Sequence, residues 1–157
     1  MSNAIPPRPR FGSSKRLFVI VASQFNAHYV QGLVSHAIAE VGRLAPNTRT
    51  ELLQVPGAFE IPIVVQEVAS QKKADAIIAL GLILKGQTDH AENLSRSVTE
   101  ALQRIALEHG IPVLNGVLSV ENEIQAQERC LGEQINRGTE AGRAAVEIAA
   151  VMDDLRA

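Results

Sequence analysis

Residues 76–84, with the sequence AIIALGLIL, form the longest apolar run of the 157-residue chain. This run of nine residues is too short to cross a bilayer as a helix, which takes about 20 residues. A short, continuous apolar segment is typical of a strand that is buried on both faces of a parallel sheet. We therefore predict a buried strand over 74–84, and Lys85 with Gly86 marks its end.

Strand-like segments at 16–22, 48–55 and 111–119 accompany this run. Between and after them, apolar residues recur at the three-and-four spacing of a helix face. Alternating strands and helices predict right-handed βαβ units, in which helices cover both faces of one sheet. The predicted fold class is therefore α/β, a three-layer α/β/α sandwich around a central four-stranded parallel sheet.

Local signals predict where the helices begin and end. Asn26 is a candidate N-terminal cap, and Asn122 with Gln125 three residues later resembles a capping box. Gly110 is expected to end the long third helix. Gly138 is expected to separate the last two helices from each other.

The chain divides into a short N-terminal segment and one domain. Residues 1–14 contain several prolines and no apolar segment of a secretory signal, so we expect a flexible or extended arm. The sequence leaves open whether this arm is a loose terminus or pairs with a neighbouring subunit. Residues 15–157 are expected to form a single α/β domain, because no linker or repeat interrupts them.

Composition excludes several classes of function. With 17 acidic and 15 basic residues the net charge is −2, which argues against a protein that coats nucleic acid. Four Phe, one Tyr and no Trp are too few for a platform that stacks single-stranded bases. Cys130 is the single cysteine, so neither an internal disulfide nor a zinc site is expected. We expect a cytoplasmic protein with no nucleic-acid or membrane partner.

Ligands of open parallel sheets bind beyond the carboxyl ends of the strands. This rule directs attention to the segments 23–26, 56–60, 85–90 and 115–119. His90 is the leading candidate among their residues, because an imidazole takes up and releases protons near neutral pH. The alternative is a solvent-facing histidine in the first turn of a helix.

Other residues in these segments have two interpretations each. The 86–88 turn before a helix is a natural anion site, with Lys85 or Arg129 as the cation. Phe25 either stacks on a flat heterocycle or packs against the next helix. Glu60 either accepts hydrogen bonds from hydroxyl groups or stabilises a helix N-terminus. No group of residues has metal-ligand spacing, so no metal is expected.

Four segments together resemble one protein family. They are VPGAFEIP at 55–62, GLILKGQTDH at 81–90, SQFN at 23–26, and the stretch from QAQER to NRG between 125 and 138. In type and order they are similar to the signatures of the lumazine synthases, and the resemblance runs from about Arg16 to Met152. It implies a flavodoxin-like form of the predicted sandwich.

The resemblance implies a cofactor-free condensation in riboflavin biosynthesis. Its substrates would be 5-amino-6-(D-ribitylamino)uracil and 3,4-dihydroxy-2-butanone 4-phosphate, and its products 6,7-dimethyl-8-ribityllumazine, phosphate and water. On the matching positions His90 would transfer protons and Arg129 would bind phosphate, which makes them the expected catalytic residues. The expected substrate-binding residues are Phe25, Asn26, Ala58, Phe59, Glu60, Leu82, Ile83, Leu84, Gln87, Thr88, Asn115, Arg129 and Arg137.

The resemblance also implies self-association. The family's sites lie between neighbouring subunits of a pentamer, and many members assemble further into icosahedral shells. Asn115 and Arg129 would then serve a site whose Phe25, Phe59 and His90 come from the next chain. At least a pentamer is expected, and the sequence does not decide between a pentamer, a decamer and a shell.

Several positions depart from the family pattern. Asn115 stands where an aromatic residue is usual, and Glu133 replaces a lysine that is common near the phosphate end. Lys85 and Arg137 keep the charge of the family's residues. The departures favour an alternative, a low-activity member that binds lumazine or flavin without efficient turnover. A flavodoxin-like signalling receiver is set aside, because 22–25 contain no carboxylate to hold magnesium.

Overall fold

The structure is a computed structural model that describes residues 15–157 of the chain. Its single sheet has four parallel strands in the order β2-β1-β3-β4, which confirms the predicted sheet. This order matches the beginning of the flavodoxin-like order, 2-1-3-4-5. The strands are β1 (Leu17–Ser23), β2 (Arg49–Val55), β3 (Ala76–Leu84) and β4 (Val113–Val120).

Helices cover both faces of the sheet, which confirms the three-layer α/β/α sandwich. They are α1 (Ala27–Leu44), α2 (Ile61–Ser70), α3 (His90–His109), α4 (Glu123–Cys130) and α5 (Arg137–Arg156), and a 3₁₀ turn at Ala58–Glu60 precedes α2. One apolar core joins the sheet to α1, α4 and α5, and the other joins it to α2 and α3. Within 15–157 no helix is long and apolar enough to span a membrane.

The position of strand β3, between two layers of helices, explains why its sequence is apolar without interruption. Ile78 and Leu80 face the first core, whereas Ile77 and Ala79 face the second, and all four side chains are fully buried. Alternate side chains of a strand point to opposite faces, so a strand between two helix layers needs apolar residues at every position. The long apolar run is thus a consequence of the sandwich.

Two of the predicted helix ends are confirmed. Gly110 ends α3 in the left-handed conformation, with φ of 63°, which a glycine adopts at little cost. Asn122 caps α4, since its side chain accepts a hydrogen bond from the Gln125 backbone at 2.9 Å. The Gln125 side chain in return accepts from the backbone N–H of Glu121, one residue before the cap.

Two other predictions about helix ends are wrong. Asn26 stands at the N-cap position of α1, but its side chain makes no capping hydrogen bond there. Gly138 lies inside the first turn of α5 and does not separate the last two helices. The break between these helices ends two residues earlier, at Asn136, whose side chain caps α5 by accepting from the backbone N–H groups of Gly138 and Thr139.

Helices α1 and α5 pack unusually closely. Gly138 and Gly142 lie against the α1 backbone, where a Cβ on Gly138 would come within 2.2 Å of the Leu33 carbonyl oxygen. The same helix pair holds a fully buried carboxylate, Glu40, whose Oε2 accepts from Nε of Arg143 at 2.8 Å. A buried charge is tolerated only when it is paired, so this ion pair fixes how α5 lies on α1.

Strand β2 is an edge strand with both faces partly uncovered. Leu52 and Leu53 point to opposite faces and are 44% and 40% exposed. A groove of about 960 Å³ lies between β2 and α2, and one of about 440 Å³ lies between β2 and α1. The arm predicted over 1–14, with its proposed pairing to a neighbour, lies outside the described residues.

Candidate active site

The turns that follow β1 and β2 are joined by their backbones. The N–H of Gln24 donates to the Val55 carbonyl at 2.7 Å, and the N–H of Phe25 donates to the Pro56 carbonyl at 3.0 Å. These bonds continue the β1–β2 pairing beyond its last strand pair, Ser23 with Val55. The segment that contains Phe25 is therefore held beside the one that leads to Phe59.

Both phenylalanine rings at this edge are exposed. The Phe25 side chain is 72% exposed and the Phe59 side chain is 70% exposed, whereas Ala58 between the two turns is buried. Glu60 is also exposed, one residue after Phe59. Exposed aromatic rings beside a carboxylate at the ends of parallel strands provide a surface for a flat, polar ligand. The interpretation of Phe25 as a ring that packs only against the next helix does not fit its exposure.

Strand β3 extends beyond its pairing with β1. The last β1–β3 pair is Ala22 with Leu80, whereas β3 stays paired with β4 as far as Leu84. On the side of β3 that faces β1, the backbone groups of residues 81–84 therefore lie beyond the paired part of the two strands. The Leu82 and Ile83 side chains are buried in the two cores, so at this edge the strand offers its backbone groups.

The turn after β3 leads to the N-terminus of the 20-residue helix α3. Gln87, Thr88 and His90 are all exposed there, and His90 is the first residue of the helix. The His90 backbone N–H donates to Thr88 Oγ1 at 3.4 Å. The first N–H groups of a helix lack intrahelical partners and carry the positive end of its dipole, so this turn favours an anion.

The remaining predicted residues lie on β4 and on the two helices that follow it in the chain. Asn115 is on β4, the edge strand opposite β2, and its amide donates to Thr99 Oγ1 at 3.1 Å. Arg129 is half-buried in the last turn of α4. Arg137 begins α5 and forms an ion pair of 2.7 Å with Glu140. The predicted site residues thus form two groups, one around the β1, β2 and β3 ends and one on β4 and the two helices that follow it in the chain.

The Cys130 thiol follows Arg129 and is fully buried. Burial raises the pKa of this thiol to about 11, and the nearby Arg129 charge acts in the opposite direction. A thiol with so high a pKa stays protonated at neutral pH and is a poor nucleophile. Cys130 therefore serves as a small apolar residue of the core beneath α4.

Comparisons with known proteins identify the family. A family model described as 6,7-dimethyl-8-ribityllumazine synthase matches residues 15–153, which is nearly the whole described chain. The chain belongs to the lumazine synthase family. The synthase of that name from Leptothrix cholodnii is 42% identical over 147 residues, which cover 92% of this chain and 91% of the relative.

Two further relatives of the same name support the assignment. The Halorhodospira halophila synthase is 39% identical over 89% of this chain and 90% of its own length. The Xylella fastidiosa synthase is 38% identical over 88% of this chain and 90% of its own length. A de novo designed Rossmann fold protein aligns over 72% of this chain with a TM-score of 0.39 at 18% identity. The lumazine synthase resemblance, which four segments of the sequence indicated, is therefore confirmed.

Sequence reasoning missed one charged neighbour of the 86–88 turn. Glu121 follows β4, and its carboxylate lies 3.4 Å from the Lys85 ammonium group, which follows β3. Lys85 was one of two candidates for the cation beside the 86–88 turn, and here its charge is shared with Glu121. The signal was present in the sequence, because each residue directly follows one of two neighbouring strands that end together at Leu84 and Val120.

Proposed function

We propose that this chain condenses 5-amino-6-(D-ribitylamino)uracil with 3,4-dihydroxy-2-butanone 4-phosphate to 6,7-dimethyl-8-ribityllumazine, phosphate and water. The observation that carries the proposal is the match of residues 15–153 to the lumazine synthase family. The arrangement at the strand ends is consistent with these substrates, since one is a flat heterocycle with a polyol and the other carries phosphate. Neither the described structure nor the relatives favour a binding protein without turnover.

The pyrimidine substrate would lie along the open edge of β3. The exposed Phe25 ring would stack on its heterocycle, and backbone groups of 82–84 would bind the polar edge of the uracil. The ribityl chain would reach Ala58, Phe59 and the Glu60 carboxylate, which accepts hydrogen bonds from hydroxyl groups. Leu82, Ile83 and Leu84 contribute through their backbone, because the first two side chains are buried.

The phosphorylated substrate would lie at the N-terminus of α3. Its phosphate would accept hydrogen bonds from the turn of Gln87 and Thr88, with Arg129 as the cationic partner. The amine of the pyrimidine attacks the ketone, phosphate leaves, and the ring closes. His90 would move the protons that these steps transfer, while the turns hold the reactants in position.

The site would be completed by a second subunit. Asn115 lies on β4, and Arg129 and Arg137 lie on the helices that follow it. By the family pattern these residues would serve the Phe25 and His90 group of the next chain. The uncovered faces of the edge strand β2 and the groove of about 960 Å³ beside it support burial of this region in an assembly. Pentamers, decamers and icosahedral shells all remain within the proposal.

We expect light scattering to show a particle of at least five times the 16.9 kDa mass of one chain. By the family pattern one group of site residues meets the other group of the next chain, and such a head-to-tail contact closes into a ring in which each subunit meets two neighbours. The mass should stay the same on dilution through the concentration range used for assays. A particle with the mass of one chain at those concentrations would contradict the shared site.

A cytoplasmic location is part of the proposal. A phosphorylated butanone is charged and does not cross membranes unaided, so the enzyme is expected where this substrate is made. The described Cys130 is a buried free thiol, which is compatible with a reducing compartment.

The experiment that tests the function is a steady-state assay with both substrates that follows the absorbance of the lumazine product. The wild-type protein should form product well above the uncatalysed rate. His90→Ala should lower kcat by about a hundredfold, the low end of acid–base effects, because water reaches this exposed position.

His36→Ala is the matched control for His90→Ala. His36 lies within α1, and its Nδ1–H donates to the Gly32 carbonyl of the same helix at 2.8 Å. This variant should keep the wild-type kcat. No product above the uncatalysed rate with the wild-type protein would instead favour a member that binds ligand without turnover, while an unchanged His90→Ala would remove only that residue's role.

A further inference from the structure

Asn26 has a backbone conformation that is uncommon for residues other than glycine. Its φ is 61° and its ψ is 42°, the left-handed helical region. Within 15–157, Asn26 and Lys72 are the non-glycine residues with positive φ. A side chain in this region costs free energy, and strained residues that persist near a ligand site often have a positioning role.

The Asn26 side chain forms a long-range hydrogen bond. Its amide nitrogen donates to the Leu82 carbonyl at 2.9 Å, across 56 residues of sequence. Leu82 lies on the part of β3 that extends beyond the β1–β3 ladder. The bond therefore joins the turn after β1 to the strand edge that the proposed function assigns to the pyrimidine.

The Asn26 backbone carbonyl begins helix α1. It accepts hydrogen bonds from the N–H groups of Tyr29 and Val30, each at 3.1 Å. Asn26 is thus the residue at which the β1 turn, the α1 start and strand β3 meet. Phe25 precedes it directly, and the N–H of Phe25 is bonded to the Pro56 carbonyl.

We propose that Asn26 is a positioning residue that sets the Phe25 ring against the open backbone edge of β3 and so determines the binding geometry of the pyrimidine substrate. This inference rests on the proposed function. The exposed Phe25 ring has little packing of its own to orient it, so its direction depends on the backbone on either side. The Pro56 bond holds that backbone on one side, and the Leu82 bond holds it on the other.

Asparagine suits this position for two reasons. It tolerates the left-handed region better than most residues with a side chain. Its amide also supplies a short N–H donor, which glycine lacks and which aspartate replaces with an acceptor. Glycine and aspartate also tolerate the left-handed region, so substitution of residue 26 by either one removes the N–H donor and keeps the backbone conformation.

Asn26→Gly keeps the left-handed backbone and removes the donor, while Asn26→Asp keeps the shape and places a carboxylate oxygen against the Leu82 carbonyl. We expect KM for the pyrimidine substrate to rise about fivefold in the glycine variant and more than tenfold in the aspartate variant. KM for the phosphorylated substrate should stay within about twofold of the wild-type value. Asn26→Gly should melt at the wild-type temperature or above, because it relieves the strained backbone.

Lys72→Gly is the matched control. Lys72 has φ of 58°, and it follows α2 at the opposite end of the sheet from the proposed site. The same substitution relieves the same kind of strain there, so it should raise the melting temperature and leave both KM values unchanged. A rise in pyrimidine KM in this variant would show that relief of strain alone perturbs the assay.

A double-mutant cycle with Phe25→Ala distinguishes positioning from direct contact. If Asn26 acts through the Phe25 ring, Asn26→Gly has little further effect on pyrimidine binding once the ring is absent. A full effect in both backgrounds would mean that Asn26 itself contacts the substrate, and it would overturn the proposal.

Calorimetry with the pyrimidine substrate alone provides the same comparison without turnover. It separates a failure of this inference from a failure of the proposed function. Wild-type binding with unchanged affinity in both Asn26 variants would overturn the positioning role and leave the synthase activity intact. A wild-type protein that does not bind the pyrimidine would overturn both.

Discussion

Replacement of Arg129 by alanine is expected to lower kcat/KM for the phosphorylated substrate by about a hundredfold to a thousandfold. A preorganised cation at a developing charge contributes on this scale, since the leaving phosphate gains negative charge as its bond to carbon breaks. Arg129 is half-buried in the last turn of α4, where water competes less than at a fully exposed site. The steady-state assay measures the effect, with the pyrimidine at saturation and the phosphorylated substrate varied.

Two further variants separate charge from geometry in this result. Arg129→Lys keeps the positive charge and loses the paired hydrogen bonds of the guanidinium group, so a smaller loss of about tenfold is expected. Arg104→Ala removes an exposed arginine of α3 whose nearest carboxylate, on Glu108, is 4.0 Å away, and it should leave the activity unchanged. A loss in Arg129→Ala that appears only in the KM of the pyrimidine would contradict a phosphate-binding role.

The same variants test whether the site is shared between subunits. In a mixed assembly of His90→Ala and Arg129→Ala chains, some interfaces pair an intact His90 with an intact Arg129 of the neighbour. In an equal mixture about half of the chains have an intact His90 and about half have an intact Arg129. With random association in a closed ring, about a quarter of all interfaces therefore pair the two intact residues. Co-expression of the two impaired chains should therefore restore about a quarter of the wild-type activity, well above the activity of either variant alone. If both residues served one site within a single chain, the mixture would be no more active than the mean of the two variants.

The order of strands and helices was predictable because two sequence patterns are strong in this chain, the continuous apolar run of a buried strand and the helical spacing of apolar residues. Strand β3 is buried on both faces and so is apolar at each position from Ala76 to Leu84. The buried residues of α3, which include Val98, Leu102 and Ile105, recur at helical spacing. Such patterns depend only on which side of an element meets the core, and that information is local in sequence.

Details that depend on a distant partner were not predictable. Asn26 resembles a helix cap in sequence, but the Leu82 carbonyl takes its amide, and nothing local distinguishes these two partners. Glu40 lies within a helix where solvent exposure would be the usual expectation for a carboxylate. Its partner Arg143 is 103 residues away, so its complete burial could not be inferred.

The division of the site into two groups also needed the structure. Sequence motifs put Phe25, His90 and Asn115 at strands and turns of one sheet, without the distance between the strands. The strand order places β4 at the edge opposite β2, which separates Asn115 from the β1–β2 turns. The roles of these residues stay predictions, and the mixed-assembly experiment tests the part that concerns the subunits.

Gly138→Ala is expected to destabilise the protein by about 3 kcal/mol. The added Cβ would lie 2.2 Å from the carbonyl oxygen and 2.8 Å from the Cα of Leu33, and both atoms belong to the α1 backbone. Backbone atoms of a packed helix cannot move aside as a flexible side chain does, so α5 must shift and its ion pair with Glu40 is disturbed. Thermal unfolding should show a fall in Tm of about 6–12 °C.

Gly42→Ala is the matched control and should have the opposite sign. Gly42 lies in α1, the same helix pair, but a Cβ there would meet nothing within 4 Å. Alanine has the higher helix propensity, so this variant should gain up to about 1 kcal/mol of unfolding free energy. One substitution, glycine to alanine, thus destabilises at one position and stabilises at the other, because only Gly138 faces a neighbouring backbone. Equal effects of the two variants on Tm would show that helix propensity, and not the close approach of α1 and α5, decides the stability of this helix pair.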